Sequence, residues 1–246
     1  MPVAHSIIKE ISFFSDGFKL QGFLHLPTSN RPPVVIGSHG LYSSSSSPKQ
    51  IELAERCNQV GIAYFRFDHR GCGSSEGTFE EVTSLAARCR DLADAVAVII
   101  GTTETSPRFG LFGSSMGGTV CLNIADELGA EALVTFAAPI RSRLLNTDSP
   151  GSAMSDTPAI FLDAQKRTFD ITDRLSEISN ILIFHGDADD VVPVSHAEVI
   201  YRLAKQPKKL IKQYQGDHPM SDEAHQRIFI EEAALWFSRR LTLPSL

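Results

Sequence analysis

The sequence lacks several features that would point to particular classes of protein. Only four of its 246 residues are cysteine, and these are scattered without a CxxC pair, which argues against a disulfide framework and against a zinc knuckle. We therefore expect free thiols in a reducing compartment. Basic residues are also in deficit, because 23 lysines and arginines stand against 29 acidic residues and give a net charge of −6. Such a charge repels phosphate backbones and anionic membranes, so no nucleic acid is expected as a partner.

Long apolar runs are absent as well. No run approaches the roughly 18 residues that cross a bilayer, and the first ten residues hold no basic segment followed by an apolar stretch. We expect a cytoplasmic protein without membrane association. The composition is that of an ordinary globular protein, with 42% apolar and 21% charged residues. The length favours one large domain, so residues 1–246 are predicted to form a single domain.

The hydrophobic pattern predicts an α/β fold. Between residues 7 and 26, two extended stretches flank Asp16-Gly17, a pair that suits the positive φ angles of a tight hairpin turn. Beyond this hairpin, short unbroken apolar runs alternate with segments of helical period, of which 82–100 and 230–241 are the clearest. This alternation is typical of a buried parallel sheet with helices on both faces. The apolar runs lie at 34–36, 62–65, 109–112, 133–136 and 181–184.

The strongest local motif is Gly113-Ser114-Ser115-Met116-Gly117, which follows one apolar run and precedes a stretch compatible with a helix. Strand, sharp turn and helix form the context in which a GxSxG motif presents a nucleophilic serine. A serine at the tip of such a strained turn brings neighbouring backbone too close for β-carbons, which explains the glycines on either side. Ser115 is therefore the candidate nucleophile.

A serine hydroxyl needs a base to remove its proton, and in this architecture the base follows the serine in the chain. His218 satisfies this order, since it lies in a loop between the predicted last strand, 209–214, and the C-terminal helix. His39 and His69 also follow strands, but both precede Ser115. His185 is predicted to be a strand-end residue with a structural hydrogen bond.

The base in turn needs an acid that fixes its tautomer and stabilises the imidazolium. The loop after the run 181–184 offers three carboxylates, Asp187, Asp189 and Asp190. Spacing alone does not choose among them, because each is close enough to reach the base and the other two suit turn or N-cap positions.

Two further motifs complete the pattern, Ser-His-Gly-Leu at 38–41 and Phe-Asp-His-Arg-Gly-Cys-Gly-Ser-Ser-Glu-Gly at 67–77. Three more segments belong to the same pattern: the serine turn, His-Gly-Asp-Ala-Asp-Asp-Val-Val-Pro at 185–193 and Gly-Asp-His at 216–218. With these motifs, the chain resembles the α/β-hydrolases over nearly its whole length. Within that superfamily, the chain is similar to single-domain serine esterases of the bacterial cinnamoyl or feruloyl type and to serine aminopeptidase-like hydrolases.

The resemblance implies an α/β-hydrolase fold, with a mostly parallel eight-stranded sheet, an N-terminal antiparallel hairpin and helices on both faces. It selects Asp189 as the acid, with Asp190 as the second choice. It also implies an oxyanion hole formed by the backbone N–H groups of Leu41 and Met116, which would receive the charge that develops on a substrate carbonyl.

We therefore expect a serine hydrolase that cleaves carboxylic esters or thioesters of small to medium size through an acyl-enzyme. The alternatives are an acyltransferase or peptidase that uses the same triad, and a catalytically silent hydrolase-fold protein that serves as a binding module. No cofactor is expected, since the glycine-rich loop 71–77 departs from GxGxxG spacing and no GK[ST] occurs. No metal is expected either, because the histidines are isolated. The expected partner is a small-molecule ester, and a homodimer is left open.

Residues 140–180 interrupt the alternation of strands and helices. They contain Pro150, Gly151 and Pro158 and have only weak helical periodicity, so we predict a short cap insertion over the site that is too small for a core of its own. Apolar side chains of this segment, with two aromatic residues from earlier loops, either line an acyl pocket or pack against the sheet. These candidates are Leu144, Leu145, Phe161, Phe169, Tyr42 and Phe79.

Overall fold

The computed structural model describes residues 7–142 and 169–242. Within this part of the chain, eight strands form one sheet in the order β1-β2-β4-β3-β5-β6-β7-β8. The strands are β1 (Ile7–Ser15), β2 (Phe18–Leu26), β3 (Val34–Ser38), β4 (Ala63–Phe67), β5 (Phe109–Ser114), β6 (Ala132–Phe136), β7 (Ile181–Gly186) and β8 (Lys208–Gln213). The helices are α1 (Pro48–Gln59), α2 (Phe79–Val82), α3 (Leu85–Ile100), α4 (Met116–Leu128), α5 (Ser195–Leu203) and α6 (Glu223–Leu241).

The sheet has the mixed character that the sequence predicts. β1 and β2 pair as an antiparallel hairpin, and the turn between them uses Asp16 at φ 47° and Gly17 at φ 86°, the positive angles that favour this pair of residues. β2 also pairs antiparallel with β4, whereas all pairs from β4 to β8 are parallel. The prediction of a mostly parallel eight-stranded sheet with an N-terminal hairpin is confirmed.

Helices cover both faces of this sheet. The core on one face is built by α3, α4 and α5, and the core on the other by α1 and α6. On the second face, the ring of Phe229 from α6 lies 5.2 to 6.2 Å from the rings of Phe112, Phe136 and Phe184, which come from three adjacent strands. Aromatic contacts of this kind hold the helix against the strand ends that carry the site.

Most of the predicted cap insertion, residues 143–168, lies outside the described residues. Leu144, Leu145 and Phe161 are therefore outside them as well. Phe169 is among the described residues of this segment. It is partly buried and packs against the main core, as expected for a residue that packs against the sheet and not for one that lines an acyl pocket.

All four cysteines are buried and free. Among the described helices, none combines the length and the apolar character that a membrane span requires.

Candidate active site

Ser115 occupies a sharp turn between β5 and α4. Its φ angle is +51°, a left-handed conformation that costs energy for a residue with a side chain. The turn is anchored to the neighbouring strand, because the Ser115 amide donates to the carbonyl of Phe136 at 2.7 Å. This is the strained strand-turn-helix conformation that the motif predicts for an exposed nucleophile.

The two glycines of the motif are required by close backbone contacts. A β-carbon on Gly113 would collide with the carbonyl of Gly117, and one on Gly117 would collide with the carbonyl of Ser38. Backbone atoms cannot rotate away as side chains do. The close approach of α4 to β5 and β3 therefore depends on these positions having no β-carbon.

His218 lies in the loop between β8 and α6, and this loop is tied to the loop after β7. The amide of Ala188 donates to the carbonyl of Gly216 at 3.0 Å, and the amide of Gln215 donates to the carboxylate of Asp187 at 2.6 Å. A third contact, from Lys49 Nζ to the carbonyl of Pro219 at 2.6 Å, connects the residue after His218 to α1. The sheet edge thus brings the predicted base next to the predicted acid.

The structure brings the three predicted residues together in one hydrogen-bonded chain. His218 Nε2 lies 3.2 Å from Ser115 Oγ, and His218 Nδ1 lies 2.7 Å from Asp189 Oδ2. The Asp189 side chain is fully buried, whereas that of His218 retains 19% exposure. Asp190 is exposed. Of the three carboxylates left open by spacing, Asp189 is the one that contacts the histidine.

The loop holds Asp189 as an ionised carboxylate. Its Oδ1 accepts from the amides of Val191 at 2.9 Å and Val192 at 2.7 Å. Burial raises the pKa of Asp189, but hydrogen bonds from His185, His218 and the Val192 amide outweigh burial and hold this pKa below its usual range. An ionised acid at this point stabilises positive charge on His218.

His185 has the structural role that the sequence predicts. It is buried at the end of β7, and its Nε2 lies 2.7 Å from the carbonyl of Val192, to which it donates. The same nitrogen is 3.4 Å from Asp189 Oδ2. His185 therefore fixes the acid loop and makes no contact with Ser115.

The segment Gly40-Leu41 lies against the serine. A β-carbon on Gly40 would stand 3.6 Å from Ser115 Cβ. Met116 is the first residue of α4, so its amide is one of the four at a helix N-terminus that have no intrahelical partner. The two predicted oxyanion-hole residues thus belong to two segments that adjoin Ser115, the loop after β3 and the N-terminus of α4, and the positive end of the helix dipole faces the same place.

A buried polar cluster supports the loop that carries Leu41. His39 is buried, its Nε2 accepts from the amide of His69 at 3.1 Å, and its Nδ1 lies 2.7 Å from the carbonyl of Gly40. Burial, together with Arg88 and His69, lowers the pKa of His39 well below its usual value, so this ring is neutral. Because Nε2 accepts, the proton is on Nδ1 and donates to Gly40. His39 is thus a structural residue.

Arg88 completes this cluster, although it belongs to none of the sequence motifs. Its guanidinium has no exposed surface, and it donates to the backbone carbonyls of residues 39 to 41. A signal was present in the sequence, because Arg88 follows Leu85 by three positions and precedes Leu92 by four. This spacing puts a charge on the apolar stripe of α3.

In the part of the chain that the structure describes, no group of three histidine, cysteine or carboxylate side chains lies close enough together to hold a metal ion.

Comparison with known proteins relates this chain to a family and to a fold. The family model of serine aminopeptidase, S33, matches residues 29–156. The uncharacterized protein YfhR of Escherichia coli K12 is 34% identical over 217 residues, an alignment that covers 82% of this chain and 70% of YfhR. The mitochondrial palmitoyl-protein thioesterase ABHD10 of Mus musculus is 24% identical over 241 residues, covering 88% of this chain and 79% of that protein.

Among solved structures, Est1E of Butyrivibrio proteoclasticus with bound ferulic acid superimposes with a TM-score of 0.77. It is 20% identical, and the alignment covers 95% of this chain and all of Est1E. At this level of identity, the likeness shows a shared fold.

Proposed function

The chain belongs to the serine aminopeptidase (S33) family of α/β-hydrolases, and from this premise we propose that it is a serine hydrolase that cleaves carboxylic esters or thioesters through an acyl-enzyme on Ser115. The observation that carries the proposal is the hydrogen-bonded chain from Ser115 Oγ to His218 Nε2 at 3.2 Å and from His218 Nδ1 to Asp189 Oδ2 at 2.7 Å. Both distances suit proton transfer and its support by an acid.

The acylation step follows from these positions. Ser115 Oγ attacks the acyl carbonyl while its proton passes to His218 Nε2, and Asp189 stabilises the resulting imidazolium. The negative charge that forms on the carbonyl oxygen is received by the amides of Leu41 and Met116. His218 then gives its proton to the leaving alcohol or thiol as the acyl bond to it breaks.

Deacylation uses the same groups. Water gives a proton to His218 and attacks the acyl carbonyl, and the second tetrahedral intermediate releases the acid as Ser115 Oγ regains the proton. Water, acyl group and proton are all accounted for, so the chemistry needs no cofactor.

Two observations support a substrate that is an ester or thioester with an apolar part. The ring of Tyr42, which follows Leu41, lies 5.3 Å from the ring of Phe79, so an aromatic pair stands beside the candidate oxyanion loop. The similar proteins include the palmitoyl-protein thioesterase ABHD10 and Est1E with bound ferulic acid. We propose that this pair contacts the substrate beside the reacting carbonyl.

Covalent labelling together with a substrate panel tests the proposal. A fluorophosphonate probe is incubated with the wild type, with Ser115→Ala and with the matched control Ser114→Ala, which changes a serine one position away. The same proteins are assayed on aryl, alkyl and thio esters. Labelling and hydrolysis are expected in the wild type and in Ser114→Ala and are expected to be lost in Ser115→Ala.

Equal labelling of the wild type and Ser115→Ala would overturn the proposal and favour a binding module. Products formed with an added alcohol or amine in place of water would instead assign an acyltransferase, and release of amino acids from peptides without ester hydrolysis would assign a peptidase.

A further inference from the structure

Arg88 is a buried cation directed at one short backbone segment. Arg88 is the fourth residue of α3. Its Nη1 donates to the carbonyls of His39 at 3.2 Å and Gly40 at 3.3 Å, and its Nη2 donates to the carbonyl of Leu41 at 3.0 Å. Its side chain has no exposed surface, and among the described residues it forms no ion pair with a carboxylate. A buried charge is costly unless dipoles compensate it, and here three carbonyls in succession do so.

The bond from Arg88 to the Gly40 carbonyl contributes to the direction of the Leu41 amide. The carbonyl of Gly40 and the N–H of Leu41 belong to one planar trans peptide unit, so they point to opposite sides of the chain. Three groups donate to this carbonyl and hold it on the interior side: Arg88, the Nδ1–H of His39 and the amide of Ser43. The N–H of Leu41 then points away from Arg88, to the side that carries a substrate carbonyl in the proposed mechanism.

We propose that Arg88 is a positioning residue for the oxyanion hole, and that it acts through the peptide unit between Gly40 and Leu41. The inference rests on the proposed function, since it assigns a role in that reaction. A fixed donor stabilises the oxyanion without reorganising as the charge forms, which is where most of the benefit of such sites arises. The positive charge of Arg88 behind the donor acts in the same direction, because the buried surroundings screen it weakly.

A purely structural role is the alternative. Arg88 Nη2 also lies 3.4 Å from Cys72 Sγ, so the side chain connects the loop of Leu41 to the loop of Cys72. A residue that only connects two loops would affect stability and substrate binding. A residue that directs the Leu41 amide affects the transition state more than the ground state, and kinetics can separate the two effects.

The test compares Arg88→Met and Arg88→Gln with the matched control Arg90→Met. Arg90 lies on the same helix with 53% of its side chain exposed, where it pairs with Asp16. Each protein is assayed for kcat and KM on an aryl ester. Each is also assayed for inhibition by an aryl trifluoromethyl ketone, which adds to the serine and places an oxyanion where the intermediate would have one. Circular dichroism and thermal unfolding report the folded state.

Arg88→Met is expected to lower kcat by about 10²-fold, the scale for loss of one oxyanion donor. KM is expected to change less than threefold, and affinity for the ketone is expected to fall in step with kcat. Arg88→Gln, which keeps a donor but no charge, is expected to show a smaller loss of both, of at least tenfold. Arg90→Met is expected to match the wild type.

Three results would overturn the inference. The first is a folded Arg88→Met with kcat and ketone affinity within threefold of Arg90→Met. The second is a variant whose loss is confined to KM and thermal stability. If Arg88→Met does not fold, Arg88→Gln is judged by the same criteria. The third is a wild type that neither hydrolyses esters nor is labelled at Ser115, which refutes the proposed function itself and this inference with it. The wild-type assay therefore distinguishes the two failures.

Discussion

The substitution Asp189→Asn keeps the shape of the candidate acid but changes which of its hydrogen bonds can form. One carboxylate oxygen, Oδ1, accepts from the amides of Val191 and Val192, and the other, Oδ2, accepts from His218 Nδ1. Because two backbone donors face Oδ1, an asparagine must keep its carbonyl oxygen there. Its NH₂ group then faces His218 Nδ1.

A donor in this place reverses the tautomer of His218. Nδ1 becomes the acceptor, the proton moves to Nε2, and Nε2 can no longer take the proton of Ser115. In a triad that depends on this tautomer, the loss in kcat is on the order of 10⁴-fold, which corresponds to about 5 kcal/mol in activation free energy. Since the substitution removes no contact to substrate, KM is expected to change little.

The assay is steady-state hydrolysis of an activated aryl ester by the wild type, by Asp189→Asn and by Asp190→Asn. Asp190 is the matched control, because it is the neighbouring carboxylate and is exposed. Its substitution is expected to leave kcat within a few-fold of the wild type. Asp189 does not have this role if Asp189→Asn keeps more than a tenth of the wild-type kcat, or if Asp190→Asn shows the larger loss.

Two further predictions concern stability. Gly117→Ala places a β-carbon against the carbonyl of Ser38 and is expected to destabilise the protein by about 1–3 kcal/mol. A free energy of unfolding in urea equal to that of the wild type would contradict this. Burial lowers the pKa of His25 and of His69 to about 4, and it lowers the pKa of His39 well below its usual value. Below pH 6.5, the unfolded chain therefore binds protons at these histidines that the native state does not bind. The free energy of unfolding should therefore fall between about pH 6.5 and 4, by roughly 3 kcal/mol for His25 alone, and equal stability in urea at pH 7.5 and 4.5 would contradict it.

Strands and the serine turn were predictable because each depends on a local pattern. The apolar runs at 109–112 and 133–136 lie within β5 and β6, and Asp16-Gly17 forms the hairpin turn. The glycines beside Ser115 are required for the reason that the motif suggests, since the carbonyls of Gly117 and Ser38 leave no space for a β-carbon.

The identity of the acid was predictable only in part. Three carboxylates lie within four positions, and spacing does not separate them. The choice of Asp189 came from the resemblance. In the structure, the distinction depends on the folded loop, because the amides of Val191 and Val192 orient one carboxylate towards His218 while Asp187 accepts from Gln215.

Buried charges were the least predictable part. Arginine residues are mostly exposed in folded proteins. Arg88 is buried because the carbonyls of a loop that lies 47 to 49 positions away in the chain compensate its charge. The serine tract 43–47 has the composition of a flexible loop, yet Ser45 is buried and its amide donates to Asp68 at 2.6 Å. Both features depend on contacts between loops that no local period encodes.

In the proposed mechanism, Ser115 takes up an acyl group while a neighbouring base removes its proton. Rapid mixing with an aryl carbamate, whose carbamoyl-enzyme hydrolyses slowly, followed by an acid quench and peptide mass analysis, tests it directly. One carbamoyl group per chain is expected, located on Ser115, with a burst of phenol of equal size that is lost in Ser115→Ala and slowed in His218→Ala. A modified residue other than Ser115, or phenol release without any covalent adduct, would contradict it.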